Sequence, residues 1–235
     1  MEYIFSLARW IHIFSGFVAL LIFWLPIVTR KGGKLHRRSG WVFVSSMATV
    51  SITAFYMGIY LIYLDAGTAS GDTPFSWFLI FISILSGATT WYGVRVLRFK
   101  GRRISHSNTV DLIFPILLIT SSIGIMIYGW VIGFPLLQYF PIVGLFLGGT
   151  QLKYWISIPK TSSHWVVEHT IGMLSTCIAA ITAFTVFGAP RLLQVESVNL
   201  LMWFLPTLVF IPLIIVLTIY YEKKFTDVHK KHNRL

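Results

Sequence analysis

Thr29-Arg-Lys-Gly-Gly-Lys-Leu-His-Arg-Arg-Ser-Gly40 holds five cations and no acid, and it joins two long apolar runs. Those runs are roughly Ile4–Val28 and Trp41–Leu64. Each reaches the length of about 20 mostly apolar residues that a helix needs to cross a bilayer core. Working outward, five more such runs follow. They are roughly Phe75–Val96, Val110–Ile132, Leu136–Ile156, Trp165–Phe187 and Leu200–Tyr221. None alternates apolar and polar residues as a membrane barrel strand does. The expected fold is all-α. It is a polytopic integral membrane protein, a bundle of seven transmembrane helices over residues 1–222, with a basic cytoplasmic tail over 223–235.

Composition agrees with this reading. The 235 residues are 56% hydrophobic and only 11% charged, against about 25% charged in an average soluble domain. Too few charges remain to cover a soluble surface. The net charge of +11 suggests an acidic partner, but long uncharged runs argue against nucleic acid. One cysteine, Cys177, excludes an intrachain disulfide and any Cys-based metal cluster. The first run lacks a basic start and a small-residue cleavage site, so it reads as a retained span and not a signal peptide.

The charge becomes a topology signal once it is placed along the chain. Of the 19 lysines and arginines, all but Arg9 and Arg191 fall in alternate connections or the tail. Basic residues concentrate on the cytoplasmic side of spanning helices. The amino terminus is therefore expected outside and the carboxyl terminus in the cytoplasm, which requires an odd number of spans. Arg30, Lys31, Lys34, Arg37, Arg38, Arg102 and Arg103 are expected to meet anionic lipid headgroups. The opposite loop, Asp65-Ala-Gly-Thr-Ala-Ser-Gly-Asp72, is mildly acidic and rich in turn residues. Trp10, Trp77, Trp130 and Trp203 near outer ends and Trp41, Trp155 and Trp165 near inner ends fit an aromatic belt. Gly144-x-x-x-Gly148 allows close helix approach, and Pro206 and Pro212 should kink the last span. Seven spans do not divide into equal halves, which weakens an inverted-repeat transporter.

Seven histidines are present. His229 and His232 lie in the charged tail and read as solvated. His36, His106, His164 and His169 converge on the inner side, because even-numbered spans start there. Asp111 and Glu168 join them at the starts of the fourth and sixth spans. Ionisable groups at membrane depth are costly and mark candidate sites. Neutral imidazoles beside a carboxylate suit either a zinc site of three protein ligands with one open position or a b-type haem held by histidines on two helices. His164 and His169 are five apart, about 140° around a helix, so they cannot easily share one ion. His169 is the deeper and is favoured as the buried one. The pattern is not the His-Glu-x-x-His zinc signature, and no Cys-x-x-Cys-His attaches a covalent haem. The same residues also suit capping and helix-dipole roles. Asn108-x-x-Asp111 in particular resembles a capping box. His12 stands alone inside the first span. A hydrogen bond to a neighbouring helix is the simplest reading, with Tyr56, Tyr60 and Tyr63 at compatible depth.

Three stretches carry a family resemblance. His12 and Gly16 followed by Lys31-Gly-Gly-x-x-His36-Arg-x-x-Gly40, the Gly93-x-Arg95 pattern in Trp91-Tyr-Gly-Val-Arg-Val-Leu-Arg98, and His169-x-x-x-Met173 resemble a bacterial family of predicted multi-pass membrane proteins, domain of unknown function 2306. The resemblance implies a multi-pass protein of the bacterial inner membrane and marks His12, His36 and His169, but no reaction.

Three functional expectations follow. The leading one is a metal or haem site on the cytoplasmic side. It would be built from His36 and His169 with help from His106, His164, Asp111 or Glu168, and would serve redox exchange with a quinone or zinc-dependent hydrolysis of a lipid. The second is a non-enzymatic transporter or lipid-interacting protein. The third is a sensory or assembly protein without ligand chemistry of its own.

Overall fold

A computed structural model describes residues 2–63, 73–194 and 200–232. The expected outer loop, 65–72, lies outside the described residues, as do the side chains of His229 and His232.

The described chain is all helical, because long apolar stretches can satisfy their backbone polar groups internally only as helices or closed barrels. The helices are α1 Glu2–Ile22, α2 Trp24–Val28, α3 Lys34–Tyr63, α4 Thr73–Arg95, α5 Thr109–Ile132, α6 Pro135–Tyr139, α7 Pro141–Ile156, α8 His164–Ala183, α9 Ala189–Leu193 and α10 Leu200–His232. A short 3-10 turn, Val96–Phe99, extends α4, and a π turn, Phe184–Gly188, extends α8. Among the described residues six helical stretches are long and apolar enough to cross a membrane: Glu2–Val28, Lys34–Tyr63, Thr73–Phe99, Thr109–Ile132, His164–Gly188 and Leu201–Lys224.

The difference from the seven expected spans lies at Leu136–Ile156. That run is divided into α6 and α7 at Phe140 and Pro141. Pro141 has no N–H to give to the Leu137 carbonyl, and its ring crowds that carbonyl. The 16 residues of α7 rise only about 24 Å, short of a core of about 30 Å. Pro26 divides the first run in the same way, with α1 ending at Ile22, the carbonyl that Pro26 cannot bond. Pro206 and Pro212, expected to kink the last span, lie inside the continuous assignment of α10.

The chain folds as two compact units. Unit 1 comprises Met1–Ala88 and Leu117–Leu145; unit 2 comprises Thr89–Ile116 and Phe146–Leu235. In unit 1, α1 packs along α3, with Phe5 stacked on Tyr60 at 4.7 Å between ring centres. Phe78, Phe81, Leu118 and Leu137 form its most buried apolar side chains. Phe140 meets Phe78 edge-on at 5.3 Å. In unit 2, α10 packs on α8, and Trp203 meets Phe187 edge-on at 5.4 Å. Tyr92, Val96 and Trp155 form a buried cluster there, with Phe99, Leu112 and Tyr154 packed against it.

Glycines set the close approaches. In unit 1 a methyl group on Gly129 would overlap the Leu137 backbone, and one on Gly144 would overlap Ser122 Oγ and the Phe81 ring. Gly144 therefore makes the close approach that its spacing suggested. Gly124, on the same helix as Gly129, has nothing within 4 Å of that position. Gly129→Ala is expected to lower stability by about 1–3 kcal/mol through overpacking. Gly124→Ala should be neutral or slightly stabilising. Thermal unfolding of the two variants in one detergent checks the contrast, and equal effects would contradict it.

Candidate functional site

Several of the ionisable residues in unit 2 are drawn together by the connection from α4 to α5. Arg95 ends α4 and Asp111 lies in the first turn of α5. Asp111 has 0% of its side chain exposed. Arg95 donates to it from two nitrogens, Nε to Oδ1 and Nη2 to Oδ2 at 3.1 Å. His106 Nε2 donates to the same Oδ2 at 2.6 Å. Two planar donors thus surround one carboxylate, the geometry that makes a charge-assisted pair strong. The His106 ring packs against both Phe99 and Trp155, at 4.4 and 5.0 Å. Its backbone N–H donates to the Trp155 carbonyl at 2.8 Å.

The capping motif is realised in part. The Asn108 side chain accepts from the Val110 N–H at 2.9 Å, as an N-cap should. Asp111 serves Arg95 and His106, an arrangement the box motif does not require.

Arg102 was expected at lipid headgroups. Its guanidinium instead donates to the carbonyls of Tyr154, Trp155 and Ser157 at 2.8, 3.0 and 2.9 Å, and to Ile104 at 3.2 Å. It caps the end of α7, where the last carbonyls have no partner in their own helix, and stacks over Tyr154 at 4.4 Å. Lys31 in unit 1 does the same for α2, donating to the Pro26 and Ile27 carbonyls at 2.7 Å each. Arg30, Lys34, Arg37, Arg38 and Arg103 are exposed.

Glu168 is placed differently from Asp111. Its hydrogen-bond donor is the Tyr92 hydroxyl, at 2.5 Å. The Arg102 charge acts on it as well, while Arg102 Nη1 and Nη2 donate to carbonyls. One turn earlier, His164 Nδ1 lies 2.8 Å from the Tyr154 hydroxyl. Tyr92 and Tyr154 meet edge-on at 5.7 Å. Glu168, Tyr92, Tyr154 and His164 thus form two hydrogen-bonded pairs that meet ring to ring.

The expected burial order of the two α8 histidines is reversed. His164 is the buried one at 8% exposure, and His169 is only partly buried. His169 is still engaged: its Nδ1–H donates to the Gly93 carbonyl at 2.7 Å. Gly93 and Gly172 touch so closely that a methyl group on either would strike the other helix's backbone, and the Met173 side chain also covers Gly93. The Gly93-x-Arg95 and His169-x-x-x-Met173 stretches therefore meet at one crossing of α4 and α8. In unit 1, His36 Nδ1–H donates to the Pro26 carbonyl at 3.0 Å. His12 Nδ1–H is shared between the Val50 carbonyl at 3.2 Å and Thr53 Oγ1 at 3.0 Å. His12 thus bonds α3 as expected, through Val50 and Thr53 and not through a tyrosine.

The convergence of His36, His106, His164 and His169 yields no metal group. Among the described residues no three His, Cys, Asp or Glu side chains are placed to hold an ion. Sequence reading missed Tyr92 and Tyr154, and marked Gly93 and Arg95 only through the family resemblance. Arg95 carried a usable signal, since it is a charge inside the apolar run Phe75–Val96 and needs a buried partner.

Asp111→Asn removes the counter-charge of Arg95, and the carboxylate that His106 bonds, at a fully buried position. Breaking such a pair costs about 3 kcal/mol or more. Arg103→Gln, at an exposed cation, should cost less than about 0.5 kcal/mol. Thermal melts of both variants in detergent measure the difference, and a mild Asp111→Asn phenotype would contradict it.

No family model, no curated protein and no solved structure matches the chain, so the roles of these residues rest on geometry.

Proposed function

We propose that the chain is a multi-pass protein of the bacterial inner membrane, amino terminus outside and carboxyl terminus in the cytoplasm, that takes up and releases a proton at Glu168 in non-enzymatic, proton-coupled transport. The distribution of lysine and arginine supports the orientation. Seven crossings require α6 and α7 to act as one. Together they run from Pro135 to Ile156, about 33 Å of helix. The resemblance to the bacterial multi-pass family supports the same class and membrane.

The observation that carries the reading is the unequal treatment of two carboxylates. Asp111 accepts direct bonds from the Arg95 guanidinium and from His106. Glu168 has a phenol as its donor. A phenol can donate to the carboxylate or accept from the carboxylic acid, so the pair tolerates both states. Carboxylates whose environments push them apart take different roles. The groups that act on Glu168 are Tyr92 on α4, Tyr154 on α7 and Arg102 in the connection, with His164 one turn back on α8.

A b-type haem is the second reading, and one observation favours it. His12, His36 and His169 each point Nδ1–H at a backbone carbonyl. That bond fixes the tautomer in which Nε2 carries the lone pair a metal needs. A quinone would then be the redox partner. A three-ligand zinc centre, and with it lipid hydrolysis, has no matching group among the described residues.

Infrared difference spectra across a pH titration read Glu168 directly. The wild type should show a carboxylic-acid carbonyl band that vanishes in Glu168→Gln, shifts in Tyr92→Phe and persists in Asp111→Asn. Proteoliposomes with an internal pH dye should lose proton uptake in Glu168→Gln by about tenfold or more, the low end of a proton-transfer contribution. A band or an uptake that survives Glu168→Gln overturns the proton reading. A Soret band in the same preparation, lost in a histidine-to-alanine variant, would establish the haem reading in its place.

A further inference from the structure

The connection between α2 and α3 is built to present charge. Gly32 adopts a positive φ of 74°, a conformation that glycine accepts without penalty. The Gly33 N–H closes the turn on the Arg30 carbonyl at 3.0 Å. Thr29 Oγ1 donates to the Leu25 carbonyl at 2.7 Å, and Lys31 and His36 both donate to Pro26. The turn is thus pinned to α2 from several points, which uses up Lys31. Arg30, Lys34, Arg37 and Arg38 remain exposed.

Lys34, Arg37, Arg38 and Trp41 stand at i, i+3, i+4 and i+7, one face of α3. Trp41 is 61% exposed one turn beyond the arginines. The whole stretch from Tyr3 to Leu64 contains no aspartate or glutamate. Residues 117–145, the other segment of unit 1, contain none either. The acids of unit 1 are therefore Glu2, Asp65 and Asp72, all remote from the turn in sequence. Like charges on one face repel one another, at a cost similar to the gain from an opposite pair, so a fixed cluster calls for an external anion.

We propose that this face of α3 is a binding site for a membrane lipid with an anionic phosphate headgroup. Lys34, Arg37 and Arg38 hold the phosphate, Arg30 borders it, and Trp41 lies against the glycerol and upper acyl chain. Charge complementarity identifies the headgroup, since basic clusters beside spanning helices recognise anionic lipids. The position of Trp41 identifies a lipid over a free anion, because tryptophan favours the zone between headgroup and hydrocarbon. The proposal makes no use of Glu168 and stands whether or not that residue carries a proton.

Native mass spectrometry of the full chain in mild detergent tests it. The probes are phosphatidylglycerol, phosphatidylcholine with the same acyl chains, and inorganic phosphate. The wild type should prefer phosphatidylglycerol. Lys34→Gln, Arg37→Gln and Arg38→Gln should each weaken that lipid roughly fivefold and leave phosphatidylcholine binding unchanged. Trp41→Ala should weaken both lipids, and Arg103→Gln should change neither. Equal binding of the two lipids by the wild type overturns the proposal. So does a preference that survives all three charge substitutions, or inorganic phosphate displacing the lipid at comparable concentration.

Discussion

The carbonyls at the ends of apolar helices constrain this chain more than any other groups. Within a hydrocarbon layer an unsatisfied backbone oxygen costs several kcal/mol, and every helix leaves four of them at its carboxyl end. Here cationic and polar side chains reach back to fill the need. Lys31 and His36 serve the end of α2, and Arg102 serves the end of α7. A cation at that end also opposes the negative pole of the helix dipole. The basic loops therefore have two parts: residues that hold helix ends, and residues left over to face the surroundings.

That division changes the meaning of the histidines. A histidine beside an apolar span suggests a metal, because imidazole is a common ligand and a costly group to bury. His12, His36 and His169 each meet the cost by donating to a carbonyl on a neighbouring helix or turn. The bond pins one helix to another without a cofactor. It is also the bond that would orient a ligand. The geometry therefore explains the position of each histidine before any cofactor is invoked, and chemistry has to be sought where charge is left only partly answered. Glu168 is that place, because its close partner is a neutral phenol while Asp111 meets the guanidinium of Arg95 and a second donor in His106.

Much of the fold was legible in the sequence because hydrophobic length is a direct physical requirement. The six spanning stretches coincide closely with six of the apolar runs. The remaining run is divided where proline acts locally: Pro141 lies between two apolar stretches that no hydropathy average separates. The site was legible only in its types of residue. Asp111 and Glu168 stood out as acids in apolar surroundings, yet their partners did not. Tyr92 and Tyr154 look like ordinary aromatic residues of a membrane chain, and nothing in their spacing tells which carboxylate or histidine they meet. The order of His164 and His169 failed for a related reason. Depth along the helix ranked them, but burial follows from what packs on each face, and Tyr154 covers His164.

The crossing of α4 and α8 shows why such partners cannot be read separately. Gly93 and Gly172 let the two backbones touch. Only at that separation does the Gly93 carbonyl come within reach of His169 Nδ1. The same approach brings Tyr92, the residue before Gly93, to Glu168, the residue before His169. Two adjacent pairs across one crossing thus share a single cause. A side chain at either glycine would part the helices and stretch both bonds together, so the position of the Glu168 carboxyl is set by two residues without side chains.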